Sequence, residues 1–168
     1  MEGDNIVVIN TLHAIIKKTT AMFSTMECEP KRRDRFKVTF PERFNIVEYS
    51  IQNITRPKFR FTNNEYKWDN ITIDFIDLIG PSTSSGLMTL LEFCQNNNNL
   101  KEEQRPLFSF LIDDLDPTGI SVETWIIDVE ELLLVDFGTL NYASQNSIQT
   151  CKLVLKPKRC RIQRNMLI

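Results

Sequence analysis

Apolar side chains return at every second position in several separate runs of this chain, the period of strands with one buried face. Phe36, Val38 and Phe40 alternate with Lys37 and Thr39. Ile71, Ile73 and Phe75 alternate with Thr72 and Asp74, inside a strand-like segment over residues 67–79. Phe108, Phe110 and Ile112 share one face of residues 107–112, and Trp125, Ile127 and Val129 alternate with Thr124, Ile126, Asp128 and Glu130. Weaker strand patterns cover 44–54, broken by Arg56-Pro57, and 58–61, ahead of an Asn63-Asn64 turn. A last strand covers 148–155. The expected core residues are Phe36, Val38, Ile71, Ile73, Phe75, Phe108, Phe110, Trp125, Ile127 and Val129.

Two stretches change period. Over residues 5–26, Ile9, Leu12, Ile16, Thr19, Phe23 and Met26 fall at spacings of three and four, the stripe of an amphipathic helix. Asp4 suits its N-cap, and Pro30 lies beyond its end. After the turn-rich GPSTSSG, Leu87, Leu90, Leu91 and Cys94 predict a short helix capped by Ser84 or Ser85. Asp116-Pro117-Thr118-Gly119 carries type I β-turn chemistry between two strands. The pattern predicts an α+β or mainly-β fold, an antiparallel β-sandwich or barrel-like domain with an N-terminal helix and one inserted helix. A chain of 168 residues reads as a single domain that buries roughly 70% of its surface. Within it, residues 1–30 form the helix and leader, 31–155 the core and 156–168 a basic tail.

Charge sharpens this picture. The net charge of −2 conceals a segregation along the chain. Residues 31–61 hold nine basic and three acidic side chains, 62–151 three basic and fifteen acidic, and 152–168 six basic and none acidic. Two readings follow: a solvated surface of uneven composition, or opposed segments that meet across copies of the chain, because complementary patches steer and register association.

Candidate chemistry is sparse. His13 is the only histidine, so a histidine-based metal site or catalytic triad is hard to assemble. Cys28, Cys94, Cys151 and Cys160 are scattered with no C-x-x-C and read as small buried hydrophobes in a reducing compartment. No cofactor is expected. Asp113, Asp114 and Asp116 are the one acidic cluster that resembles a hard-cation site, and beside Pro117 and Gly119 they read as turn formers. No apolar run approaches the roughly 20 residues of a membrane-spanning helix, and acidic Glu2 and Asp4 stand where a signal peptide would be basic. The basic clusters 31–37 and 152–164 leave a nucleic-acid-binding module as one reading, although no aromatic platform accompanies the first of them.

The run Asp116-Pro-Thr-Gly-Ile-Ser-Val-Glu-Thr-Trp125-Ile-Ile-Asp-Val, then Val135-Asp-Phe137-Gly138-Thr-Leu140-Asn141-Tyr142-Ala-Ser, then Asn146-Ser-Ile148, resembles the C-terminal half of the tail tube proteins of contractile bacteriophages. The upstream KWDNITIDF resembles a strand of the same family. The likeness covers roughly residues 34–155 and is densest over 110–155. Two features depart from the family pattern: the basic tail after residue 155, and a longer, more apolar N-terminal helix.

The resemblance implies a structural protein without enzymatic activity. It implies a homohexameric ring, stacked rings, and a continuous β-barrel around a lumen through which DNA passes without specific binding. Tail sheath, tape-measure and baseplate proteins are the implied partners, with no membrane. The implied location is the virion tail, assembled in the host bacterial cytoplasm. Asp74, Asp128 and Glu130, on polar strand faces, are then candidates for a negative lumen wall. Phe137, Gly138, Leu140, Asn141 and Tyr142 become an assembly arm, within a segment 131–147 that reaches a neighbouring ring or subunit. Two relatives of this reading stay open: a baseplate protein that starts the tube, and the Hcp-like tube of a type VI secretion or contractile injection device.

Overall fold

The computed structural model describes residues 30–62, 64–97, 105–143 and 147–165. The helix expected over 5–26, with His13 and Cys28, lies outside them. The described strands are β1 (Phe36–Thr39), β2 (Ile51–Ile54), β3 (Phe59–Thr62), β4 (Glu65–Trp68), β5 (Ile71–Ile76), β6 (Phe108–Leu115), β7 (Ser121–Asp136) and β8 (Thr150–Arg164). Helix α1 (Thr83–Asn97) lies between β5 and β6. Six strands form one antiparallel sheet in the order β1–β6–β7–β8–β5–β2, and β3 and β4 pair as a separate hairpin.

The alternation that predicts the strands also curls the sheet. Every second residue of β5 and β6 is shut away from water, so these inner faces need a cover, which the curling sheet and a helix supply together. Phe40, just after β1, shows the closure. Its ring stacks on Phe110 of β6 at 5.1 Å and also meets Phe75 of β5 at 6.4 Å. Those two strands are separated in the sheet by β7 and β8. The result is a near-closed, barrel-like domain with its apolar core inside. Where the edges β1 and β2 approach, Glu48 spans the seam, accepting from Lys37 at 2.9 Å and from Thr39 at 3.4 Å.

Helix α1 covers the core with Leu87, Leu90 and Cys94, all buried. Its start is set by two side chains. The Ser82 hydroxyl accepts from the Ser85 N–H at 3.2 Å, and Asp77 accepts from both the Ser84 N–H and its hydroxyl. Ser82 therefore caps the helix, where Ser84 or Ser85 was expected. Gly86 lets the helix close onto the preceding turn, since a Cβ there would stand 2.9 Å from the Phe44 carbonyl oxygen.

Three boundaries differ from the sequence pattern. Residues 44–54 are not one strand: two short 3-10 turns, Glu42–Phe44 and Glu48–Ser50, precede β2. Asn45 takes a left-handed conformation that ends the first turn, one asparagine tolerates better than most residues. Residues 67–79 divide at Asp69-Asn70 into β4 and β5. The final strand does not stop at residue 155 but runs to Arg164, paired with β7 as far as Glu123. Most of the expected basic tail is thus strand. Lys156, Arg159 and Arg161 of this stretch face acidic partners on β7.

Candidate assembly surfaces

The ten expected core residues fall in two groups. Val38, Ile71, Ile73, Phe75, Phe108, Phe110, Ile127 and Val129 are buried, whereas Phe36 and Trp125 are half-buried against the same cluster. The Trp125 indole N–H is buried and meets no acceptor.

The three acids proposed for a lumen wall lie beside cations of β8. Asp74 is the register partner of Lys152, whose ammonium stands 3.8 Å away, and it also accepts from the Asn53 amide. Asp128 is the register partner of Arg159. Its carboxylate is almost fully covered, accepting from the Ser109 hydroxyl at 2.7 Å and facing Arg159 at 2.9 Å and Arg161 at 3.3 Å. Burial pushes the Asp128 carboxyl up, but the Ser109 hydroxyl and the two guanidinium groups together outweigh it, and the group ends below the ordinary range. Glu130 is exposed and meets Lys156 at 3.2 Å.

This polar surface is therefore a series of acid–base pairs rather than a bare negative wall. The reading that the acidic and basic segments meet across copies needs correction for these residues. Antiparallel pairing with β8 brings the basic C-terminal segment alongside the acidic middle of the same chain, and cross-strand ion pairs form there. At the other end of the barrel, Lys31 reaches both Asp114 and Glu123, and Arg56 also binds Asp114.

The acidic cluster over 113–116 separates into individual roles. Asp113 accepts from the Ser121 and Thr124 hydroxyls, and Asp114 holds Lys31 and Arg56. Only Asp116 makes the turn. One of its oxygens accepts from the Thr118 hydroxyl and from the Thr118 and Ile120 N–H groups, and Gly119 adopts φ +86°. The Thr118 hydroxyl, followed by the backbone donors, holds the Asp116 carboxyl below its usual value. Among the described residues no three His, Cys, Asp or Glu side chains converge as metal ligands would. Burial pushes the thiols of Cys94 and Cys160 up to about 11 and about 12, far from a reactive thiolate.

The expected arm has a pinned base and a displayed tip. Residues 131–136, counted with it from sequence, belong to β7 and pair with β8. Phe137 packs against the core margin. Gly138 adopts φ +78°, and a Cβ there would run into the Gln149 amide and the Thr150 carbonyl. The Gln149 amide donates to the Phe137 carbonyl at 2.7 Å, and the Gly138 N–H donates to Asp136 at 2.8 Å. Beyond this base, Asn141 caps its own turn through the Ala143 N–H. Leu140 and Tyr142 project with relative exposures of 87% and 105%.

One surface escaped the sequence reading. The β3–β4 register pairs Phe59 with Trp68 and Phe61 with Tyr66, so four aromatic side chains share one face of a two-stranded hairpin. The spacing F-x-F before an Asn-Asn turn and Y-x-W after it is the signal that could have revealed it.

No protein-family model matches this chain, and no curated protein matches it in sequence. Among solved structures, a chain of the anti-feeding prophage cap, the cap that terminates its tube, is similar over 82% of this chain and 93% of its own, with 16% identity and a TM-score of 0.53. A chain of the sheath–tube complex of an extracellular contractile injection system, in the extended state, is similar over 81% of this chain and 93% of its own, with 15% identity and a TM-score of 0.50. At these identities the likeness is one of fold.

Proposed function

We propose that the chain is a structural subunit of the tube of a bacteriophage contractile tail, assembling as stacked hexameric rings around a channel that conducts DNA. In this reading it works without enzymatic activity in the tail of the virion, having assembled in the bacterial cytoplasm. Sheath, tape-measure and baseplate proteins are its partners. The arm carries the reading: a rigid base holds Leu140 and Tyr142 almost entirely in water. Burying one such side chain is worth about 1.5–3 kcal/mol, so their display on an ordered support fits a surface that a neighbour covers. The sequence resemblance over 110–155 and the shared fold support the same assignment.

A second reading, the tube of an injection device that passes protein, is favoured by one observation. Asp74, Asp128 and Glu130 each lie beside a lysine or arginine of β8. A wall that repels phosphates would leave such acids unpaired.

Electron microscopy of the purified full-length protein over a concentration series tests the proposal. Six-fold rings and short tubes are expected, with sedimentation moving from monomer to hexamer and beyond. A protein that sediments as a monomer throughout, with no rings in the micrographs, overturns it. Rings that capture protein but exclude DNA favour the second reading.

A further inference from the structure

We infer that the tip of the arm on one copy seats against the aromatic face of the β3–β4 hairpin on the next copy. This rests on the tube reading and names the surface that receives the arm.

The receiving face is built for a partner. Phe59 and Tyr66 stack with centroids 5.6 Å apart and planes within 6°, and Phe61 meets Tyr66 at 4.6 Å. Contacts of this kind hold the hairpin itself, which as two strands alone is marginal in water. Their outer surfaces stay open, with Phe59, Phe61 and Tyr66 exposed by 54%, 59% and 71%. Beside them runs a groove of about 760 Å³, closed on its far side by Glu130, Lys156 and Pro157. Among the described residues, none of 137–143 or 147–149 lines it.

The arm end offers the complement. Leu140, Tyr142 and Ile148 are exposed, and Ile79 lies nearby in a segment tied to the arm by the Asp77 N–H donating to the Gln149 carbonyl. Groove and arm sit at opposite ends of β5. Asp69 and Asn70, just before that strand, line the groove, and Asp77, just after it, binds Gln149. A six-residue strand separates them by roughly 20 Å. A displacement of the next copy along β5 brings the two together. Such a contact joins different patches on the two copies, and it propagates rather than closing as a two-fold dimer.

Charge agrees with this direction. The groove end carries Lys58, Arg60, Lys67, Lys156 and Lys158, offset in part by Glu65, Asp69, Glu130 and Glu131, which leaves a small positive excess. At the arm end Asp77 and Asp136 flank the arm, with Asp74 nearby on β5 and Lys152, the register partner of Asp136, beside them. Opposite signs at the two ends favour head-to-tail approach over head-to-head.

Photo-crosslinking tests the contact. A benzophenone amino acid replaces Tyr142 in the full-length protein, and heavy-isotope and light copies are mixed before assembly and irradiation. Adducts joining a heavy copy to a light one, with the partner peptide inside residues 58–70, are expected. Adducts elsewhere, or only within one copy, overturn the inference even if tubes form. A wild-type protein that forms no rings overturns the tube reading and this contact with it. As a second measurement, Phe61→Thr with Tyr66→Thr, which keeps the Phe59–Trp68 pair and a cross-strand pair of good strand formers, should raise the concentration needed for ring stacking at least ~10-fold with an unchanged thermal midpoint. Stacking at the wild-type concentration overturns the inference.

Discussion

Phe75 on β5 is wholly excluded from water, whereas Tyr66 on the neighbouring β4 keeps 71% of its surface in solvent. Both lie on strands, and both strands alternate in the same way. What separates them is the number of strands available to close over each face. The six-stranded sheet curls until its inner face has a partner in itself. The β3–β4 hairpin has one face too many and no second layer. Aromatic content therefore distinguishes the two regions poorly, while their position in the topology distinguishes them well. The interior side chains hold the fold, and the exterior ones are available for contacts between molecules.

Truncating one side chain from each region gives the largest contrast. Phe110 is 1% exposed and stacks on Phe40. Phe110→Ala should cost about 3–5 kcal/mol through lost transfer energy and an unfilled cavity, read as a fall in the denaturation midpoint. Tyr66→Ala should stay within about 0.5 kcal/mol. Equal losses at the two sites would mean that the hairpin packs on the barrel in solution far more than its exposure indicates.

The same contrast divides two acids of β7. Asp128→Ala leaves the Ser109 hydroxyl and two guanidinium groups without their shared acceptor. The arginines are half-exposed and recover water, so the expected loss is about 1–3 kcal/mol. Glu130→Gln removes a surface pair worth no more than about 1 kcal/mol. Acid titration sharpens the comparison further. The Asp128 carboxyl is depressed in the folded state, so its contribution is fully present above the ordinary value of 3.8 and disappears as pH falls through the depressed folded value. The difference in thermal midpoint between wild type and Asp128→Ala should thus be constant near neutrality and shrink below about pH 4. A difference that persists at pH 2 would locate the effect in packing rather than charge.

These pairs also mark where the sequence was readable. Period-two alternation located β1, β5, β6 and β7, because each presents one face to the core and the other to polar surroundings. It failed at the end of β8, where lysine and arginine alternate with few large apolar residues. The inward positions there are filled by Pro157 and Cys160, too small to read as a hydrophobic run. Phe137 and Gly138 entered only through the resemblance, and the need for glycine at 138 shows only in the fold, where φ is +78° and a Cβ would meet Gln149 and Thr150. The ion pairs were not legible, because segregated charge along a sequence does not reveal which strand returns beside which. Asp74 with Lys152 and Asp128 with Arg159 follow from register alone, and register is set by the whole sheet.

The smallest expected change in stability belongs to the arm tip. Leu140 and Tyr142 make no buried contact that their replacement would empty. Leu140→Ser with Tyr142→Ser should leave the thermal midpoint and far-ultraviolet spectrum of the monomer unchanged within error, a shift below about 0.5 kcal/mol. Gly138 and Gln149 are left in place in this variant, so the base of the arm keeps its geometry. Assembly should respond in the opposite sense, because the two side chains together carry about 3–6 kcal/mol of burial that only a neighbour can supply. Sedimentation velocity at concentrations where the wild type forms rings or stacks should then show the variant in smaller species. A variant that assembles as the wild type does would remove the arm from the interface. Its exposed apolar tip would then need another partner than a copy of this chain.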